Sequence, residues 1–285
     1  MSDHYNQDSA GSREPISHLE GSLYLDEWTS HALEEAIAAH PQPAVLILPL
    51  GSVEPHGPHL PLNTDRLLAV ENAERAARAL RDQGVATWVA PSLPYAVTEY
   101  AQGFCGAISL DRSLYEQLLA NLSRQYQRAG FGLICWVNHH LEPEQLAAIH
   151  ASARAVNDAD DPTRVIAPSV VSKRWGRVLG DEFRSGACHA GTYEGSMILA
   201  SRPDLVRSEI AANLPALEIS LSEAIRAGKR GFLDAGMTQA YTGAPALATS
   251  EEGERLYLEH TQMVVTEVIE TLEVLTRHQE EDTQV

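Results

Sequence analysis

Carboxylates and imidazoles crowd into three short stretches of this chain. The densest is Gly51-Ser-Val-Glu-Pro-His-Gly-Pro-His-Leu-Pro-Leu-Asn-Thr-Asp65, which sets Glu54, His56, His59 and Asp65 on a backbone fixed by glycine and proline. These are donors that divalent transition metals take, and zinc and manganese both suit them. Alone, the run reads equally well as a solvated surface loop. The second stretch is Asn138-His-His-Leu-Glu-Pro143. His140 and Glu142 are two residues apart and share a side in an extended segment. His139 by itself reads as a core or capping imidazole. The third is His189-Ala-Gly-Thr-Tyr-Glu194, where small neighbours leave the His189 ring accessible. Several His–carboxylate groups in one chain point to metal-assisted hydrolysis. Two ions lower the pKa of a water toward about 7 and polarise the scissile carbonyl. A separate histidine or carboxylate then moves the proton to the leaving nitrogen.

Such groups need rigid elements behind them. Ala44 to Leu50 (AVLILPL) and Phe131 to Val137 (FGLICWV) are apolar runs, and Val85 to Ala90 and Val165 to Val171 are weaker ones. Runs apolar on both faces suit strands covered on both sides, as in a mostly parallel sheet. The first two clusters follow the two best strands directly, which is where α/β sheets carry their sites. Between the strands the spacing predicts amphipathic helices. Leu114, Leu118, Leu122 and Tyr126 recur after Asp111, an N-cap residue. Leu146, Ile149, Ala153 and Val156 follow Pro143, which suits a first helical turn. Val264, Val268, Leu272 and Leu275 line a long C-terminal helix, with Thr249 and Glu252 placed for a capping box. Strand–helix alternation predicts one layered α/β domain.

The chain has 285 residues, 44% of them hydrophobic and 21% charged, the profile of a globular protein with a substantial core. Against 21 Lys and Arg stand 39 Asp and Glu, a formal charge of −18 that disfavours nucleic acid as a partner. Cys105, Cys135 and Cys188 form no CxxC, which speaks against a disulfide framework and fits a cytoplasmic protein. No run of roughly 18 apolar residues predicts a membrane span. Residues 1–19 read as a flexible polar lead-in and residues 277–285 as a polar tail, leaving 20–276 as the domain. A thiol hydrolase built on Cys188 beside His189 is disfavoured, because sequence neighbours in a strand point apart. His18, His31, His40, His150, His260 and His278 read as surface or capping residues, and Tyr95, Glu99 and Tyr100 as the pocket mouth.

The three stretches together resemble the creatininase (creatinine amidohydrolase) family. The matching elements are Gly51-Ser-Val-Glu54-Pro-His56-Gly with Asp65, Asn138-His-His140-Leu-Glu142, and His189-Ala-Gly-Thr-Tyr-Glu194-Gly-Ser. The resemblance covers about residues 20 to 275. It implies an α/β/α layered domain assembled as a homohexamer, with two divalent ions (zinc, manganese or iron). It implies Glu54 and His140 on one ion, His56 and Glu142 on the other, and Asp65 between them. His189 would handle protons, and Glu194 would serve as a substrate or supporting carboxylate. The implied activity is hydrolysis of a non-peptide C–N bond in a small amide. The His140-x-Glu142 element resembles the creatinine branch and favours a cyclic amide. Formyl removal, peptide trimming and lactone opening are the alternatives, and a non-catalytic metal- or ligand-binding role on the same scaffold is a further one. Two departures bear on creatinine itself. Phe104-Cys105-Gly106-Ala107 stands where many members carry Phe-Pro-Gly-Thr, and no tryptophan shortly precedes His189.

Overall fold

Seven consecutive apolar residues form β1 (Ala44–Leu50), and all seven are buried. The computed structural model of the chain describes residues 21–157 and 164–283, with the side chains of the last helix to 277. The lead-in expected over residues 1–19 lies outside them. β1 pairs in parallel with β2 (Thr87–Val89) on one side and β3 (Phe131–Asn138) on the other, and β4 (Arg164–Ile166) extends the sheet beyond β3. The order β2-β1-β3-β4 reverses direction between β1 and β3. β4 is shorter than the expected Val165 to Val171: the chain leaves the sheet after Ile166, and Val171 is exposed.

Helices cover both faces. They are α1 (Ser30–Ala38), α2 (Thr64–Asp82), α3 (Arg112–Arg128), α4 (Pro143–Asn157), α5 (Asp181–Ser185), α6 (Thr192–Ser201), α7 (Ser208–Ala211), α8 (Leu221–Arg226) and α9 (Ser250–Thr283). Because side chains alternate along a strand, β1 feeds two cores. Val45 and Ile47 join Leu133, Cys135 and Val137 under α2, α6 and α9. Leu46, Leu48 and Leu50 join Ile134 and Trp136 under α1, α3 and α4. That is the expected layered α/β/α arrangement, and it explains why the strands read as unbroken apolar runs.

Details of the helices differ from the expectation. Asp111 caps α3 by accepting from the Ser113 and Leu114 amides. The buried stripe of α3, however, is Tyr115, Leu119 and Ser123, one residue on from the predicted one, and Leu114 is exposed. Val264, Val268, Leu272 and Leu275 are buried as predicted. Thr249 accepts from the Glu252 amide at 3.2 Å, which is half of a capping box. The other half is replaced: the Thr249 amide donates to Ser196, and the Glu252 carboxylate pairs with Arg255. The α9 backbone runs on to Thr283, past the point where a tail was expected.

Candidate metal centre

The site forms where β1 and β3 end side by side, at the switch in strand order, the position at which open α/β sheets bind ligands. The His139 amide donates to the Leu50 carbonyl at 3.3 Å, so the segments after the two strands start in contact. Gly51 then lies against the backbone of Arg66, with no room for a Cβ. That close approach brings the first turn of α2, with Asp65, beside Glu54 and His56.

Asp65 stands between two imidazoles. Its Oδ1 is 3.1 Å from His56 Nε2, and its Oδ2 is 3.1 Å from His140 Nδ1. The Ser52 hydroxyl donates to Oδ2 at 2.6 Å. Glu54 Oε2 lies 3.0 Å from His140 Nδ1, and Glu194 Oε2 lies 3.6 Å from His56 Nε2. All six side chains are buried. Two donor groups therefore share Asp65: Glu54–Asp65–His140 and His56–Asp65–Glu194. A third overlaps them, Glu54–His56–His189.

The outer nitrogens are committed. His56 Nδ1 is 2.9 Å from the Glu54 carbonyl, and His140 Nε2 is 2.8 Å from the Val97 carbonyl. A carbonyl only accepts, so those nitrogens carry the hydrogens. The lone pairs are then on His56 Nε2 and His140 Nδ1, facing the carboxylates, as metal-ligating histidines are held. The pairing of His56 with Glu142 that the resemblance implies is not the one the structure makes. Glu142 accepts the amides of Glu99 and Tyr100 at 3.0 and 3.1 Å, with Oε2 3.7 Å from His140 Nε2. Those amides hold it on the strand-end loop, while Glu194, entering from the first turn of α6, takes the place beside His56.

Three acids this close, cut off from water, are electrostatically unfavourable without a cation. Burial pushes Glu54 and Glu194 up toward their neutral forms. Burial opposes charge on His56 too, yet Asp65 and Glu194 together drive it up to about 10. Asp65, despite its burial, is held well below the usual carboxylate range by His56 and His140. Without an ion, the carboxylates thus draw a second proton onto His56 Nε2 and His140 Nδ1, the nitrogens whose lone pairs a divalent cation would take in its place. Oxygen and imidazole donors in this arrangement fit divalent zinc or manganese.

His189 Nε2 is 2.9 Å from the Pro55 carbonyl, which leaves its lone pair on Nδ1. Its ring lies 4.4 Å from those of both His56 and Phe232. Ala190, with φ +52, donates its amide to Glu194 at 2.6 Å, an uncommon conformation for a residue with a Cβ and one that aims this carboxylate. Glu54, Asp65, His140, Glu142, His189 and Glu194 all line a cavity of about 810 Å³.

Several residues went unread in the sequence. Phe232, braced by Phe104 at 6.5 Å, backs the His189 ring and carries no motif. His260, expected at the surface, is buried and stacked on His139; its place four residues before Val264 and eight before Val268 put it on the stripe that would have shown this. His59 is also buried but belongs to none of the three donor groups. Of the expected mouth residues, Tyr100 lines the cavity, Glu99 contributes a backbone amide, and Tyr95 is exposed elsewhere. Among the described residues no tryptophan lines the cavity; Trp175 instead donates to Glu267 on α9.

The family model for creatininase, described as creatinine amidohydrolase, matches residues 26–269. The chain belongs to the creatininase family. Within that family it is similar to the mycofactocin precursor peptide peptidase of Mycobacterium ulcerans (strain Agy99), with 29% identity over 233 residues, 79% of this chain and 84% of that protein. The creatinine amidohydrolase of Pseudomonas putida is 27% identical over 203 residues, 65% of this chain and 74% of that protein. Among solved creatininase structures, a Zn-Zn type mutant superposes with a TM-score of 0.67 at 23% identity, and the manganese form with 0.65 at 22%. Each covers 88% of this chain and 99% of the other. At that identity the likeness concerns the fold. The creatininase-family fold and the buried donor groups make this chain a hydrolase of that family with a candidate site for divalent metal.

Proposed function

We propose that this creatininase-family protein hydrolyses an amide C–N bond with two divalent ions, zinc or manganese. The observation that supports this reading is the shared carboxylate of Asp65, one oxygen toward His56 and the other toward His140. Glu54, Asp65 and His140 would hold one ion, and His56, Asp65 and Glu194 the other. The ions supply an acidified water and a polarised carbonyl. The protein supplies the proton path. His189 has Nε2 tied to Pro55, so Nδ1 takes a proton from the attacking water and returns it to the departing nitrogen. Glu142, held rigid by the Glu99 and Tyr100 amides, lines the same cavity and would orient that water. The products are a carboxylate and an amine, and no further reactant is needed.

The substrate we favour is an extended amide such as a short peptide. A cavity of about 810 Å³ lies in the range that takes drug-sized ligands, far more than one small ring fills. Relatives of this chain include proteins named as peptide peptidases. A cyclic amide is the second reading, supported by the His140-Leu-Glu142 element and by the creatinine amidohydrolase relative. Chelated protein should be reloaded with zinc or manganese and offered short peptides, creatinine, lactams and N-formyl amines. Metal-dependent amine release from at least one is expected. Equal rates with and without metal would refute the metal mechanism, and turnover of creatinine but no peptide would reverse the substrate preference. Assembly as a homohexamer and a cytoplasmic location belong to the same proposal; light scattering tests the first. Among the described residues, no helix is long and apolar enough to cross a membrane.

A further inference from the structure

The cavity separates its charges. Its acidic lining residues, Glu54, Asp65, Glu142 and Glu194, all belong to the floor. Three arginines, Arg177, Arg184 and Arg226, line the rest, in a protein with 39 acidic and only 21 basic side chains. Arg184 is paired with Asp181 on its own helix and reaches toward the Arg177 carbonyl. Arg177 and Arg226 have no carboxylate within ion-pair distance among the described residues. Their neighbour Arg184 is neutralised by Asp181, so Arg177 and Arg226 are the lining arginines whose charge no carboxylate of the described residues offsets.

The fold holds them at this wall. Gly186 ends α5 at φ +86, and a Cβ there would overlap Ser220 and Ser222. The Leu221 amide donates to the Gly186 carbonyl at 2.9 Å. Residue 186 must therefore be glycine for α8 to seat against α5. That seating brings Leu221 and Ile225 into the lining as an apolar strip with Arg226 beside it. The Arg226 side chain is itself steered by a bond from Nε to the Ser222 carbonyl at 3.0 Å. From the buried floor to the exposed rim, a bound molecule would meet the amide-cleaving groups, then Phe232, Leu221 and Ile225, then two guanidinium groups that no carboxylate pairs.

We infer that the substrate carries an anionic group, a carboxylate or a phosphate monoester, at the end remote from the scissile amide, and that Arg177 and Arg226 recognise it. This deepens the amide-hydrolase reading and rests on it. A guanidinium presents paired N–H donors matched to both anions. A cleft with apolar walls focuses its field despite the acidic exterior.

The test uses the full-length protein and three ligands that contain no amide: 4-phenylbutanol, 4-phenylbutyrate and 4-phenylbutyl phosphate. Isothermal titration at low ionic strength should show at least one anion binding on the order of tenfold tighter than the alcohol, the sum of two partly exposed ion pairs in a focusing cleft. Whichever anion is tighter identifies the substrate's charged group. In the Arg177→Gln/Arg226→Gln double variant the advantage should fall to within about twofold, with the alcohol unchanged; both side chains are exposed, so the fold is not at stake. Anions no tighter than the alcohol in the parent, including no binding by any ligand, overturn the inference. So does an advantage that survives in the double variant, since the anion is then held at the metal centre. Because no amide is present, amide hydrolysis stands or falls separately.

Discussion

The imidazoles of His139 and His260 stack with centroids 4.7 Å apart and planes at 27°. One follows β3 directly and the other lies in α9, so the pair clamps the longest helix against the strand end that carries His140. Asn72 Nδ2 lies 3.3 Å from His139 Nε2, and the Tyr193 hydroxyl lies 2.6 Å from His260 Nε2. Tyr193 immediately precedes Glu194. A buried polar network thus fixes both sides of the candidate site from behind.

That network gives stability a pH dependence. Burial and the nearby His139 hold His260 well below the usual histidine range. The folded pKa is depressed, so between the unfolded value near 6.5 and the folded one the unfolded chain binds more protons. The stability that a neutral His260 contributes is therefore intact above about pH 6.5 and lost as pH falls below it. His260→Phe keeps the stack but removes the titration and leaves the Tyr193 hydroxyl without its partner, which costs about 1–3 kcal/mol. Urea midpoints of chelated protein at pH 7.5 and 5.5 should show the variant weaker at the higher pH, with the gap narrowing at the lower. A constant gap would refute this account.

Much of this architecture was legible in the sequence, for a physical reason. Strands buried on both faces must be apolar throughout, so β1 and β3 announce themselves, and the loops after them are then the expected place for polar chemistry. Glu54, His56, Asp65, His140, His189 and Glu194 do converge there. The division of labour between Glu142 and Glu194 was not legible. It depends on which carboxylate the backbone amides of Glu99 and Tyr100 capture, a contact across more than forty residues. The cavity's arginines were equally hidden, because α8 is brought to the site by a tertiary contact with Gly186 that no local pattern announces.

The swap of glutamates has a direct consequence for metal content. Dialysed parent protein should hold about two ions per chain. Glu194→Gln should lose one of them and Asp65→Ala both, whereas Glu142→Gln should keep both and lose turnover. Elemental analysis of the three variants decides it. Loss of metal from Glu142→Gln, with retention in Glu194→Gln, would restore the pairing implied by the family resemblance.

Ser52 should matter without touching an ion. Its hydroxyl donates to Asp65 Oδ2 at 2.6 Å in a buried setting and fixes the carboxylate that both donor groups share. Partners of this kind typically tune metal affinity by roughly 10- to 100-fold. Ser52→Ala should weaken zinc binding by about that factor in a competition titration with a chromogenic chelator. Unchanged affinity would mean that the Asp65 carboxylate is positioned by its imidazoles alone.

His189 can be separated from the ligands in the same way. It lies close enough to Glu54 and His56 to complete a donor group of its own, so geometry alone leaves it two roles. The Pro55 carbonyl argues for one of them. With Nε2 committed as a donor at 2.9 Å, the ring can use only Nδ1, and burial holds it neutral, with that nitrogen open to a proton. A positioned acid–base group contributes roughly 10²- to 10⁴-fold in rate. His189→Ala should lower kcat by about that range, with the metal content of the parent. His140→Ala should instead lower the metal content itself. If His189→Ala sheds metal as readily as His140→Ala, His189 is a ligand; if it keeps both its metal and full activity, the proton is carried elsewhere, and Glu142 becomes the group to test.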